Sequence, residues 1–122
     1  MENLVAGDLT INITNTAGIL GLDWRGKSAD RQPQIALSPF FEEVATAAAA
    51  QPASIEMHFE NLEHFNSSTI TVLIQFIQKL RQKNIKLRIV FNSGFKWQRL
   101  SFDALRIFEK PDGLLTFGTV QN

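Results

Sequence analysis

Apolar and polar residues alternate in several short segments of the chain, and a period of two is typical of half-buried strands. The first two such segments, Leu9–Thr14 and Ile19–Arg25, are separated by a turn at Asn15–Gly18. Two alternating segments joined by a short turn predict an antiparallel hairpin at the edge of a sheet. Further strands are predicted at Ile55–Phe59, Ile85–Phe91 and Leu114–Val120.

Apolar residues three and four positions apart predict helices between these strands. The first helix starts with the capping hydroxyl of Ser38 followed by Pro39, and it ends at Gln51-Pro52. The second runs from about Ser68 to Lys83, and the third from Phe95 to about Glu109. The predicted core stripe of the second helix is Ile70, Leu73, Ile74, Ile77 and Leu80. The candidate core residues of the third helix are Trp97, Leu100, Ala104, Leu105 and Phe108.

The predicted order of elements is β-β-α-β-α-β-α-β, in a single domain over residues 1–122. Helices that alternate with strands imply a mostly parallel sheet with crossover helices. The predicted fold class is therefore α/β, with a mixed β-sheet that begins with an antiparallel hairpin and continues with parallel strands flanked by helices. The polar segment Gly26–Pro33 is interpreted as a loop. The hairpin and the last strand leave sheet edges that could pair in a homodimer.

Composition excludes several classes of function. Twelve basic residues balance twelve acidic residues among 122, and there is no cysteine. A neutral chain argues against a nucleic-acid surface, and the lack of cysteine excludes disulfides, thiolate metal sites and a Cys nucleophile. The N-terminus lacks a signal-peptide pattern, and no apolar run reaches the ~18 residues of a membrane span. We expect a cytoplasmic protein without direct membrane insertion.

Candidate chemistry is sparse. No carboxylate stands at ligand spacing with both histidines, His58 and His64, so no metal site is predicted. The segment Gly18-Ile19-Leu20-Gly21 lacks the third glycine and the following helix of a dinucleotide fingerprint. No acid–base pair and no activated nucleophile emerge, so we expect neither a cofactor nor enzymatic activity.

The segment Phe65–Thr69, with sequence FNSST, joins a predicted strand to a predicted helix. Such junctions lie at the carboxyl edge of the sheet, where α/β folds place their sites. Asn and Ser are preferred helix N-caps, so capping alone explains these residues. A hydroxyl at the start of a helix can also accept a phosphate, and the residues themselves leave both interpretations open.

The order of elements and the corner Asn66-Ser67-Ser68 resemble the STAS domain, typified by the bacterial anti-sigma factor antagonists. In that family a strand runs into a D-S-S-G corner and then into an apolar helix, and the segment from Ile55 to Phe91 follows this pattern without gaps. The resemblance implies a STAS-like fold and a phosphoserine at Ser68. Two residues depart from the motif, because Asn66 stands for Asp and Thr69 stands for Gly.

The corner is also similar to the N-T-S-S corner of small bacterial phosphoproteins that control cyclic-di-GMP synthesis through partner binding. That resemblance carries the phosphate onto Ser67 instead of Ser68, and of the two acceptors we favour Ser68 from the sequence. Both resemblances imply a non-enzymatic regulatory protein that is switched by phosphorylation. The implied partners are a serine kinase that can double as the bound target, a phosphatase, and an effector such as an anti-sigma factor or a diguanylate cyclase.

A partner-binding face is predicted next to the corner. Thr69, Val72 and Phe76 would form an apolar track away from the core stripe of the second helix, and Asn66 at the corner is the fourth residue predicted to bind the partner. The alternative is that the third helix or the chain terminus covers this track.

Two rival functions remain from the sequence. One is a constitutive STAS-like assembly subunit on the cytoplasmic side of a membrane transporter or in another complex. The other is a small-ligand-binding domain in which the segment Gly26–Pro33 and Trp24 form a lid.

Overall fold

The computed structural model describes residues 1–121, which form seven strands, three α-helices and one short 3₁₀ helix. The strands are β1 (Leu4–Ala6), β2 (Leu9–Thr16), β3 (Ile19–Ser28), β4 (Ser54–His58), β5 (Leu62–Phe65), β6 (Leu87–Asn92) and β7 (Leu115–Val120). The helices are α1 (Gln34–Ala50), α2 (Ser67–Gln82) and α3 (Lys96–Leu105), and the 3₁₀ helix Arg106–Phe108 follows α3 directly.

All seven strands belong to one mixed sheet with the order β1-β2-β3-β4-β6-β7, and β5 pairs with β3 beyond the end of β4. The pairs β1–β2 and β2–β3 are antiparallel, and the remaining pairs are parallel. This confirms the predicted α/β class with an antiparallel hairpin followed by parallel strands. The sequence pattern missed β1, because three residues are too few to show a period, and it missed β5.

The predicted hairpin turn is confirmed, although β2 runs two residues further than predicted. Thr16 pairs with Ile19, which leaves Ala17 and Gly18 as the loop. Both loop residues have positive φ, 53° and 77°. Two consecutive left-handed residues form the turn type whose twist matches that of the flanking strands.

Strand β3 continues into the segment that was interpreted as a loop. Its pairing with β4 ends at Asp23, its pairing with β5 begins at Gly26, and the register shifts between Gly26 and Lys27. Gly26 has a φ of 84°, and a Cβ there would collide with the carbonyl oxygen of Asp8. Glycine therefore permits the bulge, which brings Ser28 beside Phe65 in the sheet.

The predicted start of the first helix at Ser38 is wrong. Helix α1 begins at Gln34, and Pro39 lies inside it. The amide of Leu37 donates to the carbonyl oxygen of Pro33, and the Leu37 side chain is fully buried. Burying a leucine contributes about 2 kcal/mol. We attribute the earlier start to this burial, which offsets part of the cost of a proline inside a helix.

An aromatic core joins all three helices to one face of the sheet. The rings of Trp24 and Phe59 have centroids 4.8 Å apart, and Phe41 of α1 lies 6.0 Å from Trp24. Phe102 of α3 lies 4.8 Å from Phe59 and 5.1 Å from Phe91. The predicted core of the third helix is therefore partly wrong. Leu100 is 59% exposed and Ala104 is exposed, whereas the unpredicted Phe102 is buried.

The Gln98 side chain completes the hydrogen bonding between β4 and β6 where the two strands separate. Its Oε1 accepts from the Asn92 amide at 2.7 Å, and its Nε2 donates to the carbonyl oxygens of Phe59 at 2.7 Å and Leu62 at 3.1 Å. Gln98 is 0% exposed. One carboxamide from α3 thus satisfies three buried backbone groups and ties the β4–β5 bend to β6.

Acid should weaken one exposed ion pair near the end of the chain. The Leu114 amide and then the Arg81 guanidinium hold the pKa of Asp112 below its ordinary value of 3.8. Because the folded-state pKa is lowered, the stabilisation is present at neutral pH and is lost as the pH falls below 3.8. The free energy of unfolding of Asp112→Asn in urea should therefore be lower than that of wild type at pH 7, and the two values should converge in acid. A difference that persists unchanged in acid would contradict this.

Candidate functional site

The corner between β5 and α2 is anchored to the neighbouring strand by its backbone. The amide of Asn66 donates to the carbonyl oxygen of Ser28 at 3.0 Å, directly after the last β3–β5 pair. Asn66 has extended dihedral angles, with φ −92° and ψ 173°, and α2 starts at Ser67, one residue before the predicted start. The carboxyl end of β3 therefore fixes where the helix begins.

Asn66 caps the helix with its side chain. Its Oδ1 accepts from the Thr69 amide at 2.9 Å and from the Thr69 hydroxyl at 2.7 Å. Its Nδ2 donates to the carbonyl oxygen of Asp30 at 2.7 Å. A carboxamide accepts through its oxygen and donates through its nitrogen, whereas an ionised carboxylate only accepts. Asn66 stands where the motif has Asp, and its amide nitrogen gives it a donor for a carbonyl oxygen of the loop between β3 and α1.

Thr69 is an internal residue of the corner. It is 0% exposed, and its hydroxyl oxygen lies 2.7 Å from the hydroxyl oxygen of Ser28, which is also buried. Since Asn66 Oδ1 can only accept, Thr69 donates to Asn66 and Ser28 donates to Thr69. Thr69 occupies the Gly position of the motif without adding bulk to the surface. Sequence reasoning missed Ser28, which lies 41 residues away and has no local signal.

The two serines differ in exposure. Ser67 is exposed, and Ser68 is half-buried. Asn66 acts as the N-cap, so neither serine is needed for that role. Within residues 1–121 the amides of Ser67 and Ser68 have no hydrogen-bond acceptor. Free amides at a helix N-terminus, together with the helix dipole, favour an anion there.

The prediction that the apolar track forms an exposed face is wrong. Val72 is 5% exposed and Phe76 is 3% exposed. The Phe76 ring stacks on Phe41 of α1 with a centroid distance of 4.3 Å. The covering element is therefore α1, which sequence reasoning did not consider. Of the four residues predicted to bind a partner, only Asn66 is partly exposed, because Thr69, Val72 and Phe76 belong to the interior.

A pocket of about 290 Å³ lies at the carboxyl end of β3, close to the corner. It is lined by residues of the β1–β2 turn, the β3–α1 loop and the start of α1, among them Asp8, Lys27, Asp30 and Leu37. The predicted ligand lid included Trp24, and this part of the prediction is wrong. Trp24 is fully buried and packs against Phe41 and Phe59.

His58 lies between two glutamate side chains on the face of the sheet opposite the aromatic core. Its Nε2 lies 2.8 Å from Glu56 Oε1, and its Nδ1 lies 3.1 Å from Glu60 Oε1. Among the described residues no group of three or more His, Asp or Glu side chains is arranged to hold a metal ion. The His64 ring lies 6.2 Å from the Trp97 ring. Neither histidine belongs to the corner.

Comparisons with known proteins identify the fold. No protein-family model and no curated protein match the chain. A solved structure is similar, that of an uncharacterized protein of the DUF3478 family with a SpoIIAA-like fold from Shewanella loihica PV-4. The likeness has a TM-score of 0.57 and covers 93% of this chain and 86% of that chain, with 16% sequence identity. This SpoIIAA-like fold is a STAS fold, so the predicted STAS-like fold is confirmed.

No helix within residues 1–121 combines the length and the apolar character that crossing a bilayer requires.

Proposed function

We propose that this protein is a non-enzymatic regulatory protein whose binding to a protein partner is switched by phosphorylation of Ser67. The observation that carries the proposal is the exposed Ser67 hydroxyl at the first residue of α2, beside two unpaired backbone amides. The partners on this proposal are a serine kinase that can also be the bound target, a phosphatase and a signalling effector.

A phosphate at this corner would act on binding and leave the fold intact. It adds about −1.5 to −2 charges at neutral pH. The free amides and the dipole of α2 would stabilise that charge, since anions are favoured at helix N-termini. A partner that docks over the corner would meet new bulk and a charge that has to be desolvated. The switch is therefore expected to change partner affinity and to leave the melting temperature nearly unchanged.

Exposure supports Ser67 over Ser68 as the acceptor. A kinase must bring the hydroxyl into line with the γ-phosphate of its nucleotide, which needs free access to that oxygen. Ser67 is exposed, whereas Ser68 is half-buried. Thr71 is exposed and its hydroxyl donates to the Ser67 carbonyl oxygen, so a partner over the corner would contact Thr71 and not the buried Val72 and Phe76.

The choice of Ser67 also bears on the effector. Ser67 corresponds to the threonine of the N-T-S-S corner, and Ser68 corresponds to the phosphoserine of the anti-sigma factor antagonists. The exposure of Ser67 therefore favours a diguanylate cyclase over an anti-sigma factor as the effector. Affinity capture from the protein's own cells, with Ser67→Ala and Ser67→Asp as the two baits, tests this assignment. Recovery of an anti-sigma factor in place of a cyclase would overturn it.

The experiment that tests the switch is intact-mass measurement and phosphosite mapping on protein from its own cells. A species heavier by about 80 Da, one phosphate, is expected in wild type and in Ser68→Ala and should be absent in Ser67→Ala. Loss in Ser68→Ala alone would move the switch to Ser68. If no such species forms under several growth conditions, the proposal fails and a constitutive assembly subunit becomes the better explanation.

A further inference from the structure

The pocket at the carboxyl end of β3 has the composition of a small-molecule site. Its volume of about 290 Å³ is near the lower end of the range that ligand pockets span. Leu9, Pro33 and Leu37 are buried and supply apolar lining. Ligand pockets typically combine such an apolar surface with a few polar groups that fix the orientation of the ligand.

The polar part of this pocket contains three charged residues from three different segments. Asp8 belongs to the turn between β1 and β2, Lys27 to the end of β3, and Asp30 to the loop before α1. All three residues are exposed. Within residues 1–121 none of them has an ion-pair partner. The pocket therefore offers a ligand one ammonium group and two carboxylates that the protein itself leaves unpaired.

Hydrogen bonds fix the segments that carry these charges. The Lys27 amide donates to the carbonyl oxygen of Asp8 at 3.1 Å, which joins the turn to the end of β3. Asp30 Oδ1 accepts from the Gln32 amide at 2.9 Å, and the Asp30 carbonyl oxygen accepts from Asn66 Nδ2 at 2.7 Å. A pocket whose lining is already held in place costs less conformational entropy when a ligand binds.

We infer that this pocket binds a free α-amino acid with an apolar side chain. The ligand's ammonium group would interact with Asp8 and Asp30, its carboxylate with Lys27, and its side chain with the apolar lining. The inference does not rest on the proposed phosphorylation, because neither Ser67 nor any other residue of α2 lines the pocket.

The volume and the charges of the pocket together select this class of ligand. A cavity of about 150 Å³ holds a benzene molecule, so about 290 Å³ has room for an apolar side chain and a charged head group. An amine alone would leave Lys27 unpaired, and a carboxylic acid alone would face two carboxylates. A nucleotide is larger, and Asp8 and Asp30 would repel its phosphates. A zwitterion provides a partner for charges of both signs.

Isothermal titration calorimetry of the unphosphorylated protein with L-phenylalanine and with L-leucine tests the inference. Both ligands are small, so we expect a dissociation constant of about 0.1–1 mM for the one that binds more tightly. If neither amino acid binds at concentrations up to about 10 mM, the inference is overturned.

The same titrations with molecules that lack one charge test whether both charges are recognised. Phenethylamine and hydrocinnamate are the matched amine and acid of phenylalanine, and isopentylamine and isocaproate are those of leucine. Each should bind at least about tenfold more weakly than its amino acid, because each loses an interaction between ionised groups. An amine or an acid that binds as tightly as its amino acid overturns the inference.

Lys27→Met removes the ammonium group and keeps an unbranched side chain. Affinity for the amino acid should fall about tenfold, whereas affinity for the matched amine should not fall, because the amine has no carboxylate for Lys27. Lys86→Met is the control. Lys86 is exposed and precedes β6, which places it at the opposite end of the parallel strands. Equal amino-acid affinities of the two variants would show that Lys27 does not bind the carboxylate, and the inference fails.

Amide chemical shifts measured by NMR during the titration locate the ligand. The amides of Gly7, Ala29 and Ala36 should shift, because these residues line the pocket. If Lys27→Met does not fold, Ala36→Leu replaces it. Ala36 lies in the first turn of α1, and leucine is a good helix former that would fill part of the pocket. Shifts confined to another part of the protein, or wild-type affinity in Ala36→Leu, overturn the inference.

Discussion

Replacing Gln98 with leucine should lower the free energy of unfolding by about 4 kcal/mol, the cost of leaving buried backbone groups without partners at about 1–3 kcal/mol each. Leucine has a similar size but neither accepts nor donates a hydrogen bond. The Asn92 amide and the carbonyl oxygens of Phe59 and Leu62 would lose their bonds to Gln98. Because these groups lie under α3, water cannot replace the lost carboxamide without opening the core.

The control for this substitution is Gln78→Leu, the same chemical change at an exposed position of α2. Substitutions at such surface positions usually change stability by less than about 0.5 kcal/mol. Urea unfolding followed by circular dichroism gives both values on one scale. A Gln98→Leu variant as stable as Gln78→Leu would show that the bend between β4 and β5 finds other hydrogen bonds, and the role assigned to Gln98 would be wrong.

Asn66→Ala should cost about 2 kcal/mol, because it removes the helix cap and the bond to the β3–α1 loop together, each worth about 1 kcal/mol. The lost bonds join Asn66 to Thr69 and to the carbonyl oxygen of Asp30. Asn61→Ala is the control, since Asn61 is an exposed residue of the turn before β5. Equal stability of the two alanine variants in urea unfolding would contradict the capping role of Asn66.

Asn66→Asp separates the two functions of this side chain. An aspartate still accepts from Thr69 and interacts favourably with the dipole of α2. It cannot donate to the Asp30 carbonyl, and its second oxygen would face that carbonyl. We therefore expect a loss of about 1 kcal/mol at neutral pH, between wild type and Asn66→Ala. An aspartate variant more stable than wild type would contradict this, since the gain from the helix dipole would then exceed the loss of the bond to the Asp30 carbonyl.

The sequence was sufficient for the elements whose pattern is local. The alternation in β2 and β3 and the turn signal at Asn15–Gly18 predicted the hairpin, and the order of strands and helices predicted the mixed sheet. Errors arose where packing overrides local preference. Ser38-Pro39 is a good helix start in isolation, but the burial of Leu37 favours four more residues of helix before it.

Which residues are buried in and around the candidate site could not be predicted from the sequence, for a related reason. Val72 and Phe76 lie off the apolar stripe that periodicity selected, and only the position of α1 shows that a second surface covers them. Ser28 and Gln98 are polar residues that a hydrophobic pattern assigns to the surface. The hydrogen-bond partner of Ser28 lies 41 residues away along the chain, and the partners of Gln98 lie between 6 and 39 residues away. No local sequence rule connects these residues to their partners.

The position of Gln98 has a consequence for the order of events during protein synthesis. The ribosome completes the corner residues Asn66–Thr69 well before it adds α3. Until Gln98 emerges, the backbone groups of Phe59 and Leu62 lack the carboxamide that fixes the bend leading to β5. Because this bend leads directly to β5, we expect the corner to reach its final geometry only after α3 has been made. A kinase that recognises the folded corner would modify finished molecules and ignore those still being made.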